Sequence, residues 1–181
     1  RHAYLAAVED GRTIGAVFLE LPVQDNTSTA WVNLVVAPEE RGRGIGSALH
    51  DEALAWLRAQ GRTVAQASTD QRAEPPAGPR TLAPPTGAGR VRADTADVRF
   101  MTSRGWALEQ VSRRSVLRLP LVDGIVDRFL AEAQAAAGDD YRLVAWGTHA
   151  PEEWLEQYAY VLARMSTDAP VAGMQWDLQT W

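Results

Sequence analysis

The sequence predicts an α/β fold, a mixed and mostly antiparallel sheet with flanking helices. Three observations carry this. Two β-compatible runs flank Asp10-Gly11, a dipeptide that favours a tight hairpin turn. The almost wholly apolar run Ala30–Val36 leads into a glycine-rich turn. That turn opens an amphipathic helix, after which strand-like and helix-like segments alternate.

The elements follow in order. Ala3–Glu9 and Thr13–Leu21 form the hairpin, and Ala30–Val36 reads as a buried central strand. Pro38 ends it. Beyond Arg41–Gly46, the apolar residues Ile45, Ala48, Leu49, Ala53, Trp56 and Leu57 recur at helical spacing, with Gly61 placed to cap the helix end. Thr63–Ser68 is the next strand. Gln71–Arg92 is rich in proline and glycine and reads as a long loop without regular structure. Asp94 is placed to cap a short helix, Thr95–Arg104, ahead of Gly105. Trp106–Leu119 reads as one or two strands, Asp123–Ala137 as a helix and Tyr141–Trp146 as a strand. Pro151 starts a last helix with Trp154, Leu155, Tyr158, Val161, Leu162 and Met165 on one face.

Composition removes several function classes. All 18 basic residues are arginine, so there is no lysine for a Walker A loop or a Schiff base. With no cysteine there is no thiolate nucleophile, thiolate metal site or disulfide. His2, His50 and His149 are too dispersed for a metal-ligand pattern. The net charge of −5 argues against a nucleic-acid partner. No apolar run approaches the roughly 20 residues that cross a bilayer, and the expectation is a cytoplasmic protein with no membrane partner.

The informative segment runs from Leu34 to Ser47, a strand entering a glycine-rich turn that starts a helix. Backbone N–H groups at a helix start lack intrahelical partners, and the helix dipole adds positive potential. Together they suit a diphosphate. The dinucleotide fingerprint G-x-G-x-x-G fails, because Ser47 stands three residues after Gly44 and Leu49 three after Gly46. A third pattern fits: R/Q-x-x-G-x-G/A after a strand, preceded by L-x-V-x-P. It is matched at Leu34, Val36, Pro38, Arg41, Gly44 and Gly46. In this the chain resembles the GNAT family of N-acetyltransferases. The hairpin then corresponds to the family's second and third strands and Ala30–Val36 to its fourth. Ile45–Gln60 is the third helix and Thr63–Ser68 the fifth strand. Asp94–Arg104 resembles the fourth helix, with Asp94, Phe100 and Trp106 in its motif positions. The position that often holds a tyrosine acid is Met101, which cannot donate a proton.

The resemblance implies an acyl-CoA N-acyltransferase fold splayed between its fourth and fifth strands. It also implies acetyl transfer from acetyl-CoA to a primary amine by direct attack. Leu34, Val35, Val36, Arg41, Gly42, Arg43, Gly44, Ile45, Gly46, Ser47 and Asp94 would bind the coenzyme. The Val36 N–H would face the developing oxyanion. The fourth strand offers no carboxylate, so Glu20 and Asp70 are the candidate bases, and no metal is called for. The family's first strand and first two helices are expected before residue 3 and are not in the sequence. The chain therefore reads as a domain over 1–120, a linker helix over 121–138 and the start of a second such domain over 139–181. The competing reading is a non-catalytic acyl-CoA-binding or interaction domain.

Overall fold

The computed structural model describes residues 1–180. It contains two compact units, Arg1–Val111 joined by the chain from Tyr160, and Ser112–Ala159. Among the described residues no helix is long and apolar enough to cross a membrane.

The first unit is built on a four-stranded sheet in the order β1 (His2–Glu9), β2 (Arg12–Glu20), β3 (Thr29–Val36) and β4 (Val64–Gln66). β1, β2 and β3 are antiparallel neighbours, and β4 runs parallel to β3. Asp10 and Gly11 both have positive φ, 50° and 74°. This is the left-handed pair that a two-residue hairpin needs to match the twist of its strands.

Helix α1 (Ile45–Ala59) packs on one face of this sheet. Val17, Leu19, Leu21, Ala30 and Val32 form the core with Leu49, Ala53 and Leu57. Each large aliphatic side chain buried there contributes on the order of 1.5–3 kcal/mol. Gly15 lets the helix approach: a Cβ there would lie 2.9 Å from Leu49 Cδ1 and 3.3 Å from the Val35 carbonyl. α1 ends as expected, with Gly61 at φ 76° and the Arg62 N–H returning to the Leu57 carbonyl.

Several elements differ from the expectation. The loop 71–92 carries a small antiparallel ribbon, β5 (Thr81–Leu82) with β6 (Val91–Arg92). Thr95 takes the N-cap position of helix α2 (Ala96–Ser103) and makes no side-chain cap hydrogen bond. Asp94 turns instead to Arg92, with two contacts of 2.9 Å. Residues 107–117 form no strand. Their polar groups go to side-chain contacts, Glu109 accepting from the Gly173 N–H at 2.9 Å and Gln110 donating to the Pro170 carbonyl at 3.2 Å. β3 is buried only in its first half, for Asn33 and Val35 are exposed.

The second unit holds helix α3 (Ile125–Ala137) and the first half of α4 (Glu152–Asp168). Tyr141–Trp146 is not a strand. It has the apolar content but no neighbouring strand to pair with, and Leu143 is 96% exposed. Its aromatic end packs locally, with Trp146 against Tyr158 at 5.5 Å.

Candidate functional site

β3 and β4 pair only at Thr29–Val64, Ala30–Ala65 and Trp31–Gln66. Beyond Trp31 β4 stops, while β3 continues to Val36, held by β2 alone. The splay implied at this pair of strands is therefore present. In an antiparallel ladder alternate residues point toward the partner. Ala37 donates to the Ile14 carbonyl at 3.0 Å, so the N–H groups of Leu34 and Val36 face the gap.

β3 then runs through a single 3₁₀ turn, Pro38–Glu40, into Arg41–Gly44 and α1. Gly42 and Gly44 sit at φ 80° and 85°, and a Cβ on either would meet nothing within 4 Å. That is an open backbone cradle in a conformation that glycine adopts without strain. Gly44 is the N-cap and makes no side-chain cap hydrogen bond. The first N–H groups of the helix, Ile45, Gly46 and Ser47, have no intrahelical acceptor. The cradle thus offers donors and a dipole to an anion, and its residues suit a diphosphate.

The arginines of the turn divide the work. Arg41 stays exposed and its Nε donates to the Val36 carbonyl at 3.2 Å. Arg43 is engaged by two carboxylates, Glu9 at 2.6 Å and Glu40. These raise its pKa further above its already high value, and the Arg43 guanidinium holds the Glu9 carboxyl below the usual range. Glu40 is buried and also pairs with Arg12 at 2.5 Å. The buried carboxylate ties the turn to the β1–β2 hairpin, so Arg43 braces the cradle in this structure.

Phe100 of α2 closes the same region. A Cβ on Gly46 would lie 3.5 Å from Val36, 3.6 Å from Phe100 and 3.8 Å from Leu34 side-chain atoms. α2 is itself fastened to α1 through His50. The Trp106 Nε1–H donates to His50 Nε2 at 3.0 Å, so Nδ1 carries the proton and reaches Asp51 at 2.9 Å. Arg104 donates to the same Asp51 oxygen at 2.7 Å, and its guanidinium lies over the Phe100 ring at 4.9 Å. His50 is thus a packing histidine.

Leu34, Val35, Val36 and Arg41–Ser47 come together around the cradle and gap. Asp94 does not lie among these contacts, since Arg92 engages it and holds its carboxyl below the usual range. Glu20 is paired in register with Trp31, beside the point where β3 and β4 part. Asp70 is exposed and adjoins Gln71, whose amide donates to Asp97 in the first turn of α2 at 2.7 Å. Sequence reasoning missed Gly15 and Glu40, which act across 20 residues or more. Leu34, expected to bind the coenzyme, gains a specific part from strand alternation, a second outward N–H beside that of Val36.

A cavity of about 450 Å³ lies elsewhere, between the C-terminal half of α1, β4 and residues 104–110. It shares no residue with the cradle.

Known proteins are similar in part. Residues 1–75 match the model of the acetyltransferase (GNAT) family. Over 49 residues, 27% of this chain, it is 43% identical to the mycothiol acetyltransferase of Rothia mucilaginosa. That stretch spans 14% of the relative's length. A putative acetyl transferase from Pyrococcus furiosus overlays at 19% identity and TM-score 0.42, covering 67% of this chain and 66% of that one. An aminoglycoside N-acetyltransferase solved in complex with CoA overlays at 17% identity and TM-score 0.43, covering 66% and 77%. Overlays this partial say nothing of ligand or acceptor. The family match falls on the hairpin, β3, the cradle, α1 and β4, the elements just described. The likeness to the acetyltransferase (GNAT) family is thus carried by residues 1–75.

Proposed function

We propose that this protein transfers an acetyl group from acetyl-CoA to a primary amine by direct attack. The observation that carries this reading is the junction of an open strand edge with an anion cradle. β3 leaves β4 after Trp31 and runs unpaired on that side to the glycine turn at the start of α1.

The coenzyme's diphosphate would rest on the N–H groups of Gly44, Ile45, Gly46 and Ser47, with Arg41 at the rim. Its pantetheine arm would lie along β3 as an added strand. Leu34 and Val36 both offer N–H groups there, one for a pantetheine carbonyl and one for the thioester oxygen. A fixed backbone dipole aimed at the developing charge lowers the barrier. The amine nitrogen bonds to the acyl carbon, the carbon–sulfur bond breaks, and the sulfur leaves as thiolate. The attacking nitrogen must shed a proton. Glu20, beside Trp31, is the base better placed for this than Asp70. Met101 cannot protonate the thiolate, so solvent does.

Calorimetry with acetyl-CoA, followed by CoA release on a panel of primary amines, tests the proposal. Saturable binding with amine-dependent release is the expected result. A folded protein that does not bind acetyl-CoA would overturn the coenzyme reading. Binding with no release on any amine would favour the non-catalytic acyl-CoA-binding domain.

A further inference from the structure

We infer that the segment Gly173–Thr180 is the acceptor-side wall of this cleft, with Trp176 shielding the thioester. The inference rests on the coenzyme reading above.

The gap between β3 and β4 has two faces. On the α1 side it is closed by Phe100 against Val36, Leu34 and Gly46. A second substrate must therefore approach from the other face, where Trp31, Asn33 and Val35 project. Val35 is 65% exposed there. From Leu34 back to Trp31 is about 10 Å along the strand, so a thioester held at the Leu34 N–H has Trp31 at the far end of its cleft.

A remote part of the chain sits at that end. The Trp176 ring lies 6.1 Å from that of Trp31. Gln66, the last residue of β4, donates its amide to the Gln175 carbonyl at 2.9 Å. The segment is pinned beyond this point by a reciprocal pair: the Asn26 N–H donates to Asp177 at 2.7 Å, and the Asp177 N–H donates to the Asn26 side chain at 2.6 Å. Thr180 adds contacts to Asp25 at 2.9 and 3.0 Å. The contacts to Trp31 and Gln66 lie where the strands part, and those to Asn26 and Asp25 fix the segment just before β3 begins, all of them across more than 100 positions in sequence. Gln66 is 7% exposed, yet its Oε1 has no partner, and neither does the shielded Trp176 Nε1. One spare acceptor and one spare donor thus stand at the junction, where an amine and an acyl carbonyl would supply the missing complements.

The chain has no cysteine, so in a protein–CoA mixture the only thiol is the coenzyme's. With protein in excess over CoA, an aromatic disulfide reagent reports access to that thiol. In the wild type the bound thiol should react about tenfold more slowly than free CoA, since exchange depends on access. Trp176→Ala removes the wall and Asp177→Ala unpins it. Either should restore most of the free rate, while Trp176→Phe retains most of the protection. Calorimetry should show CoA affinity unchanged in all three. Protection equal in wild type and both alanine variants would overturn the inference, as would an unprotected thiol in the wild type. Loss of CoA affinity in the folded alanine variants would do the same, because an acceptor-side wall leaves the cradle untouched. If the wild type binds no CoA, the coenzyme reading falls first and the wall with it.

Discussion

Two helices of this molecule begin alike and end up with different surroundings. α1 follows Gly44 at φ 85° and ψ −6°, and α3 follows Gly124 at φ 74° and ψ −4°. Neither N-cap makes a side-chain hydrogen bond, and both helices are amphipathic in sequence. α1 is delivered by a strand, covered by a sheet and rimmed by arginines, and it buries Leu49, His50, Ala53 and Leu57. α3 buries none of its residues, and Val126, Phe129 and Leu130 are about half exposed. A left-handed glycine before a helix is therefore not a binding site. The first becomes a candidate because an unpaired strand edge ends at it.

The largest expected effect breaks this comparison at the cradle. Gly46→Asp puts a carboxylate against a bound diphosphate, while its Cβ meets neighbours only at ordinary distances of 3.5–3.8 Å. Acetyl-CoA affinity should fall about 10²-fold, close to 3 kcal/mol. Val126→Asp, at the equivalent position of α3, should leave it unchanged. Calorimetry on the two variants decides it, and equal effects would mean the cradle is not where the coenzyme binds.

The packing difference should appear next, in stability. Gly15→Val drives a branched side chain into Leu49, Ile45 and the Val35 carbonyl. Overpacking of this kind costs about 1–3 kcal/mol. Leu130→Ala on the exposed face of α3 should change stability by less than about 1 kcal/mol, because its side chain already meets solvent. Denaturant titration measures both. A larger loss at Leu130 would show that the α3 face is covered in solution.

How much of this was legible follows from the range of each signal. Asp10-Gly11 and the run from Leu34 to Gly46 are local patterns, and each folds as local patterns should. The splay was legible only through the resemblance, since where β4 stops depends on its pairing with Thr29–Trp31. Residues 106–119 and 141–146 have the composition of strands, but a strand also needs a partner, and composition does not show one. Gly15 was unreadable because what it must admit, Leu49, lies 34 positions on. The pairs Trp106–His50 and Trp176–Trp31 are more distant still.

A smaller effect concerns the clamp between α1 and α2. The His50 ring N–H, with Arg104 nearby, holds the Asp51 carboxyl below the usual range. A carboxylate with a lowered folded-state pKa stabilises above its unfolded value of about 3.9. That stability is lost as pH falls through the lowered folded value. Asp51→Asn should therefore be less stable than wild type at pH 7, with the difference shrinking below about pH 4. Melting temperatures of the two proteins across pH 3–7 would show it, and a difference independent of pH would assign Asp51 a purely steric part.

The smallest expected effect is the most informative about mechanism. Met101 occupies the α2 position where the resembling family often carries a tyrosine. Its backbone is committed to structure, for its carbonyl accepts from Arg104 at 3.0 Å and Trp106 at 3.1 Å. The side chain is half-buried and carries no proton to give. If solvent protonates the departing thiolate, a leucine of similar volume should do everything that methionine does. Met101→Leu should then keep kcat within about twofold, with a stability change below about 1.5 kcal/mol. Met101→Tyr sharpens the same point. If acid help limits the reaction, adding a phenol at this position should raise kcat; if it does not, kcat stays level. A fall of about 10²-fold in Met101→Leu, the scale of losing an acid–base group, would mean that α2 lies in a different register against the cleft. Phe100 and Gly46 would then not be neighbours, and the closed face from which the acceptor-side wall was inferred would have to be redrawn.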